Sequence, residues 1–417
     1  MTAWVKYFYK EFPLQTSHTL QLLTTIFLMF ASAKVAAEIF ERLNQPAVAG
    51  EILAGIIVGP ALLNWVQPTE ITTALAEIGV ILLMFAVGLE TAPRSILAVG
   101  KTAMAVAVTG VLIPFVLCGV AIWFLPGLLG QPVPTIEAIF VGAAAVATSV
   151  GITARVLADL SVLNHQASRI ILAAAVIDDI LALLILAVVS SLAKSGAVDW
   201  LQLGFTFVAA IIFMAVVVFV GQRVVKKAGA KIQHFQMRDP LFAIAIALCF
   251  GLAWVSEYIG IAAIIGAFLA GMALADLSDQ SDLLKKSESA VNLMLPFFLV
   301  NIGMQVQLGE LASWGVIAVA IIITLLAVLG KFAGGFLASR GQPGRIPAQV
   351  GMGMVPRGEV GIVAAQLGLT LGAINERMFA IVLFMAVATT LIAPPFLRRL
   401  FAGETEANSE TVPMRVE

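Results

Sequence analysis

Two aspartates stand side by side, Asp178 and Asp179, inside Ile170–Val189, a run with no other charge that is long enough to cross a bilayer. A carboxylate at that depth costs about 2.5–3.5 kcal/mol on insertion scales, so a pair must be neutralised, paired or hydrated, and is a functional site by default. A partner is available. Asp178 lies nine residues after Arg169, and Lys331 lies nine residues before Arg340. If both arginines mark cytoplasmic helix ends, the rise of 1.5 Å per residue puts both groups about 13–14 Å into the membrane, at one level. Adjacent residues of a helix point about 100° apart, so one aspartate can face Lys331 while the other faces a cavity. The chemistry expected of such a set is proton binding and release, with the lysine holding one carboxylate ionised.

These groups need a membrane to be buried in, and the composition supplies one. Of 417 residues, 60% are hydrophobic and 12% charged, with a mean hydropathy of +1.02, against about 25% charged in soluble domains. This is an all-α polytopic membrane protein, and a nucleic-acid partner is excluded. Cys118 and Cys249 lie in separate apolar segments and read as small core residues, neither a disulfide nor a metal site. His18, His165 and His234 fall at or beyond membrane boundaries.

Apolar windows bounded by Pro, Gly and charge clusters give thirteen transmembrane helices: 18–41, 46–63, 71–90, 96–125, 134–159, 165–194, 199–226, 239–256, 259–277, 287–305, 311–339, 346–371 and 375–400. With that count, seventeen Lys and Arg residues fall on one set of faces and four (Lys6, Lys10, Lys194 and Arg377) on the other. The positive-inside rule then puts the N-terminus outside and the C-terminus in the cytoplasm. Lys34, Lys331 and Arg357 remain within spans. Lys6 and Lys10 ahead of Leu20–Phe30 resemble a signal peptide, but the helical pattern continues through Lys34–Glu38, so an uncleaved first helix is expected. The polar tail is expected to be disordered and cytoplasmic.

Self-comparison reveals an internal repeat. Gly50–Gly55 matches Gly266–Gly271 at offset 216, Val141–Val146 matches Val350–Val355 at offset 209, and Val150-Gly-Ile152 matches Val360-Gly-Ile362 at offset 210. The partners lie seven helices apart. An odd number inverts one repeat against the other across the membrane, the architecture of many secondary transporters. Two repeat-related segments also look broken near mid-membrane: Ala147–Thr153, with Thr148, Ser149 and Thr153, and Met354–Gly361, with Pro356, Gly358 and Gly361. Proline removes a donor and clashes with the preceding turn, and the hydroxyls can serve freed backbone groups or an ion. Interrupted helices in matching halves are the best sequence pointer to a transport site. Arg357 and Glu359 are expected to neutralise each other or the helix ends there; Glu51, Glu77, Glu90 and Glu257 are expected to be peripheral.

Gly50–Pro60, Leu82–Glu90, Ala147–Leu157, Val176–Asp179, Pro356–Gly361 and Lys331 together resemble the bacterial sodium/proton antiporters of the monovalent cation:proton antiporter-2 family, NapA-like members in particular. The resemblance runs from about residue 20 to 400. It implies a homodimer in the bacterial inner membrane, serving pH homeostasis, in which each protomer has two crossed broken helices in a core separate from a dimerisation scaffold. Carried onto this chain, 18–95 are the first scaffold helices and 96–194 the first half of the core. Residues 199–226 form a linker helix, 239–305 the second scaffold helices, 311–400 the second half of the core, and 401–417 the disordered tail. The resemblance further implies that Asp179 is the principal ion and proton site and that Asp178 pairs with Lys331. Two aspartates with that lysine look like the electrogenic class, two H⁺ per Na⁺.

The residue chemistry agrees with this. A hard cation such as Na⁺ or Li⁺ wants oxygen ligands, which Asp178, Asp179, the Thr148 and Ser149 hydroxyls and unwound carbonyls can supply. Cation and protons then compete for the same carboxylates, which with alternating access makes an obligatory exchanger rather than an enzyme. No cofactor is expected, and the partners are the transported ions, lipids and a second copy. The nearest alternative is a K⁺/H⁺ exchanger of the same fold. A passive cation channel would leave the buried lysine and the inverted repeat without a use. An intramembrane aspartyl protease needs aspartates converging from separate helices, which neighbours on one helix cannot do.

Overall fold

The computed structural model describes residues 18–43, 45–91, 98–125, 128, 132–195, 200–217, 221, 239–260, 262–278, 282–306, 313–357 and 359–409. These form fifteen α-helices: α1 His18–Arg42, α2 Ala47–Val58, α3 Glu70–Leu89, α4 Gly100–Trp123, α5 Thr135–Ala144, α6 Val150–Asp159, α7 Gln166–Ser195, α8 Trp200–Val216, α9 Pro240–Ile259, α10 Ala263–Ser278, α11 Leu283–Met304, α12 Trp314–Ala338, α13 Ile346–Gly353, α14 Glu359–Thr370 and α15 Glu376–Ser409. Among the described residues, eleven of the thirteen expected spans hold a single helix and the other two are each broken, into α5 with α6 and α13 with α14. Seven of the described helices are long and apolar enough to cross a bilayer unaided. The chain is a multi-pass membrane protein.

Some boundaries differ from the sequence reading. The second span ends at Val58 rather than 63, because Gly59 and Pro60 turn the chain out of the helix and Asn64 closes the turn in a left-handed conformation (φ 53°). The last helix runs past 400 to Ser409, so the first part of the expected disordered tail is helical. Residues 410–417, and Lys6 and Lys10 with the signal-peptide question, lie outside the described residues, as does most of 218–238 with His234.

The helices pack in two groups. In one, α3 lies between α10 and α11, α2 lies against α1 and α11, and α9 lies on α10. In the other, α4 packs on α12, α7 and α5, while α12 packs on α13 and α15. α8 touches α7 of one group and α9 of the other. Large apolar side chains such as Leu23, Phe27, Leu201, Phe205 and Trp254 point outward, the face a bilayer requires.

The repeat is visible in the packing. A Cβ on Gly55 would sit 2.1 Å from the Val300 carbonyl and 2.9 Å from Gly303 Cα, and one on Gly271 would sit 2.1 Å from the Phe85 carbonyl and 2.8 Å from Gly88 Cα. Gly271 is the repeat partner of Gly55, and Gly303 stands 215 residues after Gly88. The α2–α11 and α10–α3 crossings are therefore the same contact made twice. Only glycine permits backbones to approach this closely.

Candidate functional site

The two breaks have different causes. In the second, Pro356 cannot donate to a helical ladder, and Val355–Arg357 run without regular structure between α13 and α14. The first, Ala145-Val-Ala-Thr-Ser149, holds neither glycine nor proline. It is held open by groups from elsewhere: Ala145 O accepts from Arg357 Nε (2.8 Å), Thr148 N donates to Asp178 Oδ2 (3.0 Å), and Ser149 N donates to Pro356 O (2.8 Å). The last bond joins the two unwound segments where they cross. Thr148 Oγ1 to Met354 O (3.4 Å) and Thr153 Oγ1 to Gly353 O (2.9 Å) tie them on either side.

α7 and α12 bring the charges to that crossing. Lys331 Nζ lies 2.5 Å from Asp178 Oδ1, with both side chains fully enclosed. Asp178 thus has one carboxylate oxygen on the lysine and the other on the Thr148 amide. Asp179, one residue on, is also buried, as are Thr148, Ser149 and Thr153. A buried ion pair survives only when its remaining polar atoms are satisfied, and the freed amide of the unwound segment provides that for Asp178. Two carboxylates, with the hydroxyls of Thr148 and Ser149 on the unwound segment that Asp178 holds, are hard-oxygen groups of the kind a small cation or protons take. A cation reaching Asp178 shares its carboxylate with Lys331 and the Thr148 amide.

Arg357 reaches helix ends, one of the two contacts expected of it. Its guanidinium is fully buried and donates to three backbone carbonyls: Nε to Ala145 O (2.8 Å), Nη1 to Val355 O (2.7 Å) and Nη2 to Ala327 O (3.1 Å). Two of these carbonyls, Ala145 O just past α5 and Val355 O just past α13, lie at helix ends, where partial negative charge collects; the third, Ala327 O, lies within α12. Glu359 opens α14, and its side chain lies outside the described residues. Glu51 is a correction: expected to be peripheral, it is buried and holds Lys34 Nζ at 3.2 Å. Cys118 and Cys249 are buried and free, and His165 packs edge-on against Phe401.

Two residues of this site escaped the sequence reading. Thr389 and Thr390 of α15 are fully buried. Thr389 Oγ1 accepts from Arg357 N (3.2 Å), and Thr390 Oγ1 donates to Arg357 O (2.5 Å). The signal was present in the repeat, since Ala175-Val-Ile-Asp-Asp179 matches Ala386-Val-Ala-Thr-Thr390 at offset 211. It was masked because a threonine in an apolar helix ordinarily bonds back to its own preceding turn.

A family model described as sodium/hydrogen exchanger, transmembrane, matches residues 24–403. Among relatives, the Na(+)/H(+)-K(+) antiporter GerN of Bacillus cereus is 33% identical over 92% of this chain and 97% of its own length. The high-affinity Na(+)/H(+) antiporter NhaS3 of Synechocystis is 32% identical over 94% of this chain and 92% of its own. Among solved structures, the sodium proton antiporter MjNhaP1 of Methanocaldococcus jannaschii at pH 8 has the same fold, with a TM-score of 0.65 at 18% identity, covering 93% of this chain and 99% of that one.

Proposed function

Since this chain belongs to the transmembrane sodium/hydrogen exchanger family, we propose that it exchanges Na⁺ or Li⁺ for H⁺ by alternating access, with cation and protons competing for Asp179 and Asp178. The observation that carries this is the enclosed Lys331–Asp178 contact at the crossing of two broken helices, with Asp179 beside it. A cation entering between the carboxylates displaces Lys331 from Asp178, and protons returning to the site expel the cation. Thr148 and Ser149 hydroxyls and carbonyls of the unwound segments complete the oxygen shell.

Charge bookkeeping favours two protons per sodium. Two carboxylates and one lysine allow two protons to enter as one Na⁺ leaves, moving one net charge, which is worth about 2.3 kcal/mol per 100 mV. The membrane potential then drives the exchange.

All the site side chains are sealed from solvent, so transport requires the core to move against the scaffold. In the state described, α6, the half of the first broken helix that leads toward Arg169, packs on α2 and α3. Its repeat counterpart α14 packs on α5, α7 and α15, within the core. This asymmetry supports a state closed on the cytoplasmic side. The two packing groups support a core of residues 96–194 and 311–400 moving past a scaffold of 18–95 and 239–305, with the scaffold as the dimer surface. The distribution of Lys and Arg supports an outside N-terminus and a cytoplasmic C-terminus in a bacterial inner membrane.

The test is reconstitution in liposomes with an internal pH dye. Na⁺ or Li⁺ additions are expected to move protons through the wild type and not through Asp179→Asn, and near-normal exchange by that variant would sink the assignment. Because one relative's name includes K⁺, a K⁺ arm belongs in the same assay; proton movement with K⁺ alone would make this a K⁺/H⁺ exchanger.

A further inference from the structure

The repeat that places Asp178 and Asp179 also places Thr389 and Thr390, and the two pairs face equivalent backbone. Asp178 Oδ2 accepts from Thr148 N in the first unwound segment (3.0 Å), and Thr389 Oγ1 accepts from Arg357 N in the second (3.2 Å). Thr148 and Arg357 are themselves repeat partners, at offset 209. The second member of the threonine pair adds a bond to Arg357 O (2.5 Å), so Arg357 is held by both of its backbone polar groups from α15. Both hydroxyls also reach Ala386 O, at 3.0 and 2.9 Å.

The difference in side-chain type follows from charge. The first segment brings no charge of its own and receives a carboxylate neutralised by Lys331. The second carries the Arg357 guanidinium, and a carboxylate at Thr389 or Thr390 would create a second ion-paired acid in the same cavity. A hydroxyl makes the backbone contact without adding a group that titrates or captures a cation.

We propose that Thr389 and Thr390 are positioning residues for cation exchange: they set the register of Met354–Arg357, and through it the carbonyls and the Ser149 contact that shape the cation's side of the site. The inference rests on the proposed exchange at Asp178 and Asp179. The hydrogen bonds of both threonines go to the backbone of Arg357 and Ala386, so the effect is on how tightly and how selectively the cation is held. Losing one hydroxyl is expected to raise the KM for Na⁺ roughly fivefold, the equivalent of about one hydrogen bond, and to change the Li⁺/Na⁺ KM ratio. The maximal rate should change less than KM.

The experiment compares wild type with Thr389→Val, Thr390→Val, Thr389→Ser, Thr390→Ser, Thr389→Ala and Thr390→Ala in the liposome assay, with KM and maximal rate for Na⁺ and Li⁺. Thermal unfolding is measured in parallel, with and without Na⁺. Raised KM and an altered ion ratio in the valine variants, restored by serine, support the proposal. If the valine proteins do not fold, serine against alanine isolates the hydroxyl, and a KM difference between them supports it equally. Wild-type KM and ion ratio in every folded variant, or serine variants as impaired as alanine ones, overturn it. An inert wild type rejects the proposed exchange itself, and this inference falls with it.

Discussion

Lys331 Nζ lies 2.5 Å from Asp178 Oδ1, with neither side chain exposed, and this contact ties α12 to α7 beside the point where the two broken helices cross. Asp178 then completes its coordination on the Thr148 amide. One carboxylate therefore both pairs the lysine and holds the first unwound segment open. An ion that takes Asp178 weakens the pull of the carboxylate on these contacts, which couples binding to the geometry of the crossing.

The pair sets a stability expectation. Removing one member leaves an uncompensated buried charge, at a cost of about 3–5 kcal/mol. Lys331→Gln and Asp178→Asn should each lower the thermal unfolding temperature in detergent. The double variant should recover part of the loss, with a coupling of about 0.5–3 kcal/mol. Additive losses would mean that the contact does not operate in the membrane protein.

Voltage dependence tests the part Lys331 plays in the proposed stoichiometry. With Lys331 replaced by glutamine, the site retains one fewer group able to trade charge with the cation. Any residual exchange is expected to become insensitive to a clamped potential, while the wild type accelerates in the direction set by one net charge per cycle. Voltage-insensitive exchange by the wild type would reject the two-for-one stoichiometry. The measurement is dye-reported exchange in liposomes under K⁺/valinomycin clamps.

Much of this site is legible in the sequence because membrane depth can be counted. Nine residues from Arg169 to Asp178 and nine from Lys331 to Arg340 place the two groups at one level, and the structure brings them into contact. Pro356 likewise announces the second break. The first break is signalled by the hydroxyls of Thr148 and Ser149 and by the repeat, but its cause is not local, since Ala145–Ser149 holds neither glycine nor proline; Arg357, Asp178 and Pro356 from other elements hold it open. Local sequence can point to the place of such a distortion but not to the distant partners that impose it. Arg357 could be assigned to helix ends or to Glu359, and its carbonyl partners, Ala145 O and Val355 O at helix ends and Ala327 O inside α12, are tertiary contacts that local sequence does not specify. Glu51 looked peripheral because the approach of Lys34 from α1 is a tertiary fact.

The glycine crossings offer a test of the internal symmetry. An alanine Cβ at Gly55 or Gly271 would lie 2.1 Å from a backbone carbonyl that cannot rotate away. Overpacking of this kind costs about 1–3 kcal/mol. Gly55→Ala and Gly271→Ala are expected to destabilise to a similar extent, because they are the same contact in two repeats. Gly100→Ala, whose Cβ would meet nothing within 4 Å, is the control and should melt like wild type. A harmless alanine at either crossing would contradict the close approach.

Closure of α6 on the scaffold can be trapped directly. A Cβ at Gly151 would come within 2.8 Å of Val80 Cγ2 on α3, which brings a cysteine pair at these positions into the range of disulfide geometry, with Cβ atoms about 3.5–4.5 Å apart. Cys118 and Cys249 are buried and lie on other helices, so they should not compete. If α6 must leave α3 for the site to open to the cytoplasm, oxidised Val80→Cys/Gly151→Cys protein should lose exchange and regain it on reduction, while the activity of each single variant should be the same with and without oxidant. Crosslinking is scored by a cysteine-reactive mass tag on denatured protein before and after reduction. Full exchange by fully crosslinked protein would show that α3 and α6 travel together, and the moving boundary would then have to lie elsewhere.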